Sequence, residues 1–285
     1  MEPLRSLILA AADSDAIRRA VATAPGTRGI VARFVAGETV ADALAAVRSL
    51  AADGRYATLD HLGENTSDPG VTEDTVRTYE RLLDALRAEG LADAAEVSVK
   101  VSAVTVARDE ELALRNARRI CAAAQRCGTT VTIDMEDHTA TDATLRLVET
   151  LRQEWPWAGA VLQSYLRRTP ADAVALSGAG SRVRLCKGAY AEPADVAFTT
   201  GHETDLAYVR CANILLEGVP TRCSPRTIHG WWPCCASGRV GTGVSRAVTS
   251  TRCCTGSGRT SRSGWPRKGR PCVCTCRSVS SGTDT

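Results

Sequence analysis

Residues 97–135 run VSVKVSAVTVARDEELALRNARRICAAAQRCGTTVTIDM, and the residue pattern changes period twice within this one stretch. VSVKV at 97–101 and TVTIDM at 130–135 are β-branched and of strand length. Between them Ala113, Ala117, Ile120, Cys121 and Ala124 share one helical face, and Asp109 stands where an N-cap belongs. Strand, helix, strand in this order predicts parallel strands joined by a crossover helix.

The unit repeats in both directions. Upstream lies ATLDHL at 57–62, closing on Gly63 and Glu64; downstream come AVLQSY at 160–165 and VRLCK at 183–187. Val76, Tyr79, Leu83 and Leu86 form the apolar face of the helix after the first run, and residues 205–216 supply one after the fifth. Five such units could build an open doubly wound sheet or part of a (β/α)₈ barrel. Residues 1–55, strongly helical over 41–50, read as an N-terminal helical extension, and 56–217 as the strand–helix body.

Composition bounds the rest. The chain has 285 residues, 30.2 kDa and 44% hydrophobic content, enough for a real core. In MEPLRSLILAAADSDAIRRA a short apolar run is cut off by charges, with no A-x-A-like cleavage site after it. That predicts a cytoplasmic protein.

The averages hide a break near Gly218. Eleven of the 35 Lys and Arg lie beyond it, but only one of the 32 acids, Asp284. The net +3 is therefore a body of about −7 and a tail of about +10. Cys121, Cys127, Cys186 and Cys211 are scattered through the body as packed free thiols, whereas the other eight of the 12 cysteines crowd the tail. Zinc modules need spaced C-x₂₋₄-C pairs around a foldable stretch. The tail instead has C-x-C-x-C at 272–276, adjacent pairs at Cys234–Cys235 and Cys253–Cys254, and His229 alone. No period gathers its arginines onto a nucleic-acid-binding face.

A reading-frame test accounts for the tail better. Taking the third base of each codon with the first two of the next, residues 222–233 (RCSPRTIHGWWP) permit MLATHDPRMVA. Residues 252–258 permit MLYGVR, and 271–284 permit VRVYVPFG followed, after two loosely fixed positions, by WYG. All three are strand-like. Added to the five strands of the body they make eight, which favours the α/β (β/α)₈ TIM-type barrel, with only five of its strands in the correct frame. Residues 218–285 are then an apparently frameshifted tail, expected to lack a packed core and to hold at most a short, poorly ordered strand.

In such barrels chemistry belongs to the C-terminal ends of the strands. Each run offers a polar residue there: Glu64, Lys100, Asp134, Gln163, and Arg184 with Lys187. Singly these are solvated strand ends; in register they predict one polar mouth. Asp134 and Lys100 suit a small zwitterion, and Arg184 suits the neighbourhood of an anionic reduced flavin. There is no Gly-x-Gly-x-x-Gly, P-loop, H-x-H or H-E-x-x-H, so no phosphate or metal motif is expected. His61 and His138 read as structural, and Trp155 and Trp157 as packing before the fourth run.

LDHLGE, VSVKVS, TIDMED, LQSYLRRT and VRLCKGAY, in this order, resemble the proline dehydrogenase family, RLCKGAY being the most diagnostic although Cys186 stands where valine is usual. The resemblance runs from about residue 25 to 216, and the shifted frame extends it. It implies a barrel holding FAD noncovalently, oxidising L-proline to Δ1-pyrroline-5-carboxylate, and passing electrons to a quinone from the cytoplasm or the inner face of the membrane. Neither a metal nor a nucleic-acid partner is implied. By the same resemblance Asp134 and Arg184 are catalytic-site residues, Lys100 and Glu64 serve substrate binding, and Met135, Gln163, Lys187, Gly188 and Ala189 contact the flavin. The family's carboxylate-clamping arginine pair on the last helix and its Thr-His flavin contact are missing from this frame, which predicts weak substrate binding or none. The competing readings are another flavin- or phosphate-binding barrel enzyme, and a non-enzymatic barrel fragment whose basic tail binds nucleic acid.

Overall fold

The computed structural model describes residues 35–37, 39–178 and 180–217, and the backbone of 272–279. The elements in chain order are β1 (Val35–Gly37), α1 (Val40–Ala52), β2 (Arg55–Leu62), α2 (Pro69–Ala88), β3 (Ala95–Lys100), α3 (Glu110–Cys127), β4 (Val131–Asp134), α4 (Thr141–Glu154), β5 (Gly159–Gln163), α5 (Thr169–Leu176), β6 (Val183–Cys186), α6 (Gly201–Glu217) and β7 (Cys272–Val279). They form one parallel sheet in the order β1-β7-β2-β3-β4-β5-β6, with helices between the strands β2 to β6. The five strands of the body are thus present, in sequence order and each beside the next. Among the described residues they make an open half-barrel, with β1 and β6 at its edges.

Local chemistry sets the helix boundaries. Asp68 accepts the Gly70 N–H at 2.7 Å and Pro69 opens α2, while Asp109 accepts the Glu111 and Leu112 N–H groups, both at 3.0 Å, to start α3. Gly128, at φ +88°, ends α3 in the left-handed conformation. The expected helix faces are the buried ones: Val76, Tyr79, Leu83 and Leu86 on α2, and Ala113, Ala117, Ile120, Cys121 and Ala124 on α3.

These faces pack on alternate strand residues. Ala57, Leu59, Val97, Val99, Val131, Ile133 and Ala160 join them in one core, and Leu162, Val183 and Leu185 join α6 in a second. Each fully buried aliphatic side chain contributes about 1.5–3 kcal/mol. The four body cysteines form no disulfide among the described residues; burial pushes the Cys121 thiol up to about 12 and the Cys211 thiol to about 11, so both are inert packing groups. Trp155 is buried just ahead of β5, donating its indole N–H to Gln125 Oε1 at 2.8 Å.

Three expectations need correction. The segment 1–55 is not wholly helical where it is described, because a short strand at Val35–Gly37 precedes α1. The tail also contains a strand of eight residues, Cys272–Val279, paired with β2 from Arg55↔Cys272 to Leu62↔Val279. Parallel pairing uses backbone donors and acceptors, which the outer edge of β2 offers whatever the side chains are. The rest of residues 218–285, like residues 1–34, lies outside the described residues. Finally, β3 to β6 stop one or two residues before the runs read from sequence, at Lys100, Asp134, Gln163 and Cys186. The strand alternation therefore does not carry to Met135 or Lys187.

Tyr79 ties α2 to two strands. Its hydroxyl donates to Ser98 O at 2.7 Å and accepts the His61 N–H at 3.1 Å. Tyr79→Phe keeps the ring but leaves two buried backbone groups unpaired, a cost of roughly 1–3 kcal/mol. A matching fall in the urea midpoint at unchanged slope is expected, and an unshifted midpoint would show that the hydroxyl contributes nothing.

Candidate active site

The face of the sheet turned away from the helices is polar. Thr58, Asp60, Glu96, Ser98, Thr132, Asp134 and Gln163 lie on it between the apolar residues of the core, and Arg182 and Arg184 of the β6 segment reach across it. A parallel sheet covered on both faces ordinarily reads as a continuous apolar run. The departure marks a barrel interior built around charge.

That interior is layered. Near the N-terminal strand ends, Arg182 is ion-paired with Glu96, which also accepts Thr58 Oγ1 at 3.1 Å and Thr130 Oγ1 at 2.9 Å. Burial pushes the Glu96 carboxyl up, but Arg182, Thr130 and Arg184 outweigh it and hold the group below the usual value. One layer higher, Arg184 Nη2 is ion-paired with Asp134 and lies 3.3 Å from Ser98 Oγ, which donates to Asp134 Oδ1 at 2.5 Å. Burial pulls the Arg184 pKa down, yet Asp134, Cys186, Glu96 and Asp60 raise it beyond the ordinary arginine value. Both pairs bridge strands that are not neighbours, β3 to β6 and β4 to β6, and so cross the concave side of the half-barrel.

The third layer forms the mouth. Lys100, at the end of β3, is ion-paired with Glu64, which follows β2. Gln163 Nε2 donates to Glu136 O at 2.7 Å, and the Glu136 carboxylate takes the Ser102 N–H at 2.9 Å together with the Ser102 hydroxyl. Of the residues singled out from sequence, the structure joins Asp134 to Arg184 and Lys100 to Glu64, and fixes Gln163 beside them. Met135 is buried. Lys187 turns outward to Asp205 of α6 at 2.5 Å instead of joining the cluster. Gly188 lies against Tyr165, and Ala189 is exposed.

Sequence reading missed three residues here: Glu136, Ser102 and Tyr190. Tyr190 is half-buried; burial first, then the charges of Glu64, Glu136, Asp134 and Asp137, push its phenol well up. The tyrosine inside RLCKGAY was the available signal. His61 lies on the helix side of β2 with both ring nitrogens unpartnered among the described residues, and burial lowers its pKa, so it is a neutral packing group. A cleft lined by Tyr56, Thr58, Asp93, Glu96, Thr129 and Thr130 opens at the opposite, N-terminal ends of β2 to β4. It does not contain the Asp134–Arg184 cluster, and in barrels that end serves stability. Among the described residues no group of three or more His, Cys, Asp and Glu could hold a metal, and no helix is long and apolar enough to cross a membrane.

Parallel strands joined by helices, with charged residues collected toward their C-terminal ends, are the architecture of the (β/α) barrels. Within it, the proline dehydrogenase family model matches residues 43–238, more than half of the chain, and the chain belongs to that family. Proline dehydrogenase of Deinococcus radiodurans is 40% identical over 183 residues, which cover 62% of this chain and 58% of that protein. Proline dehydrogenase 1 of Bacillus subtilis (strain 168) is 35% identical over 187 residues, covering 66% and 61%. The chain thus spans about 58–61% of the length of these relatives. Among solved structures, proline utilization A of Bdellovibrio bacteriovorus superposes with a TM-score of 0.62 at 23% identity, over 71% of this chain and 25% of that one. Its counterpart from Corynebacterium freiburgense gives 0.59 at 23%, over 76% and 25%. At that identity the likeness speaks for the fold, a TIM-like barrel of which this chain displays half.

Proposed function

We propose that this mouth is the site of an FAD-dependent proline dehydrogenase, which oxidises L-proline to Δ1-pyrroline-5-carboxylate, and that the codons after about Gly218 are read out of frame. The observation that carries the first part is the Ser98–Asp134–Arg184 cluster at the C-terminal strand ends of a chain in this family. The shifted-frame peptides support the second; the family match itself continues to residue 238.

The residues present fit a flavin. Arg184 is a cation held inside the barrel, and its buried Nε has no acceptor among the described residues, so it can bond an anionic or carbonyl edge. FAD, when bound, would supply the two-electron acceptor for the hydride that leaves the proline ring. Arg184 and Gln163 would hold it, with Lys187, Gly188 and Ala189 lining the approach from the β6 side. Lys100 and Asp134 present one positive and one negative group for the carboxylate and the ring nitrogen of a zwitterion. Glu64, paired with Lys100 in this structure, would accept an arginine of the last helix in the frame-restored chain. A quinone acceptor at the inner face of the membrane belongs to the same reading, and no nucleic acid or metal does.

The test is flavin retention. FAD should co-elute with the protein on gel filtration after incubation, and L-proline should bleach it anaerobically in the frame-restored form. Loss of FAD from both forms would overturn the assignment.

A further inference from the structure

The chain leaving β6 at Lys187 is stitched along the end of β5. Tyr165 N donates to Lys187 O at 2.9 Å, Arg167 N to Val196 O at 2.9 Å, and Phe198 N to Tyr165 O at 2.8 Å. Gly188 has φ +119°, and a Cβ there would lie 2.2 Å from carbons of the Tyr165 ring, so that ring sits directly on the glycine backbone. The same tyrosine donates its hydroxyl to Glu192 Oε1 at 3.3 Å. Glu192 also accepts the His138 N–H at 2.9 Å, and its Oε2 meets His138 Nδ1. The Glu192 side chain is only 3% exposed.

A carboxylate buried in a connecting loop is costly unless its bonds fix something. What Glu192 fixes is the far foot of an arch. Gly188 at one end and Glu192 at the other are both held by Tyr165, and between them lies Tyr190. Tyr190 is half-buried four residues beyond the C-terminal end of β6, and burial with the negative charges of Glu64, Glu136, Asp134 and Asp137 pushes its phenol up.

We infer that Glu192 is a positioning residue: by locking the β6–α6 arch to Tyr165 and His138, it sets Tyr190 against the carboxylates of the mouth and makes it a fixed wall of the substrate pocket. This rests on the mouth being the substrate site. Among the described residues, only Tyr165 and His138 bond the Glu192 carboxylate. Loss of its contacts should therefore free the arch without dissolving the two larger core clusters, which contain none of its partners.

The full chain labelled with 3-fluorotyrosine contains five tyrosines, and the Tyr190 resonance is identified by its disappearance in Tyr190→Phe. In Glu192→Ala that resonance should shift or broaden, while those of Tyr79 and Tyr208 and the melting temperature hold. Hydrogen exchange across residues 187–198 should quicken by roughly tenfold or more as the loop opens locally. Glu192→Gln, which keeps an acceptor oxygen for the His138 amide, should restore most of the Tyr190 signal. Should Glu192→Ala fail to fold, His138→Ala removes the imidazole contact with the carboxylate, leaves the Tyr165 ring on Gly188, and should move the Tyr190 resonance in the same direction. An unmoved Tyr190 resonance with unchanged exchange would overturn the inference, and so would a shift of all tyrosines together with a collapse in melting temperature, which would assign Glu192 to the fold alone. No arm uses proline or flavin, so failure here is distinct from failure of the proline-oxidation reading.

Discussion

Restoring the reading frame after the Gly218 codon is expected to raise proline-dependent reduction of a dye acceptor by two orders of magnitude or more over the chain as it stands. The argument starts from closure. Among the described residues β6 has no strand on its outer side, so the concave face carrying Asp134 and Arg184 is walled on one flank only. An open half-barrel leaves its ion pairs closer to water, which weakens every electrostatic contact they could make with a substrate. The resemblance also requires an arginine pair on the last helix to clamp the proline carboxylate, and no such helix is in frame. Two charge-assisted bonds at about 1.5–3 kcal/mol each, with a tenfold rate for about every 1.4 kcal/mol, correspond to roughly 10²- to 10⁴-fold. The strand slot beside β2 is instructive. In this structure it is filled by Cys272–Val279. The shifted frame would fill the same segment with VRVYVPFG, whose alternate apolar residues can cover the core as well as pair the edge. Equal and robust dye reduction by both forms would defeat the frameshift reading, because the present tail would then be supplying the missing half of the site.

What was legible in the sequence was whatever period and chirality control. The five strands, the helices between them and the buried faces of α2 and α3 follow from 2- and 3.6-residue repeats that tertiary packing then reinforces. Glu64, Lys100, Asp134, Gln163 and Arg184 could be named because a strand end has a known place in a parallel barrel. Two kinds of feature were hidden. Glu136, Tyr190 and Glu192 lie in loops and Ser102 in a single 3₁₀ turn, where no period reveals which way a side chain turns. The Lys187 side chain, which pairs with Asp205, could not be placed for the related reason that β6 ends at Cys186, so the strand alternation no longer applies one residue on. The short strand at Val35–Gly37 and the one at Cys272–Val279 depend on an available edge elsewhere in the chain, which a local pattern cannot show.

Replacing Asp134 by alanine should separate stability from chemistry at the centre of the site. Asp134 is the ion-pair partner of Arg184 and the acceptor of Ser98 Oγ, and the Arg184 Nε has no acceptor among the described residues. Truncating the carboxylate therefore leaves a guanidinium facing the barrel interior with little but Ser98 Oγ, at 3.3 Å, beside it. Breaking one side of a buried pair costs about 3–5 kcal/mol, and because the Asp134 and Arg184 side chains retain 14% and 26% exposure, the lower end applies. Removing both charges in Asp134→Leu/Arg184→Met takes away the unpaired cation and should recover most of the lost stability. The coupling energy, read by urea unfolding of Asp134→Leu, Arg184→Met and the double variant, should be clearly favourable to the native pair. Activity should behave differently. In the frame-restored enzyme all three variants should lose proline-dependent dye reduction, because the roles proposed for Asp134 and Arg184 need their charges and not merely their packing. A stable double variant that still oxidises proline at the parent rate would remove both residues from the mechanism. An Asp134→Ala protein as stable as the parent would show that the Asp134–Arg184 pair does not hold the half-barrel together.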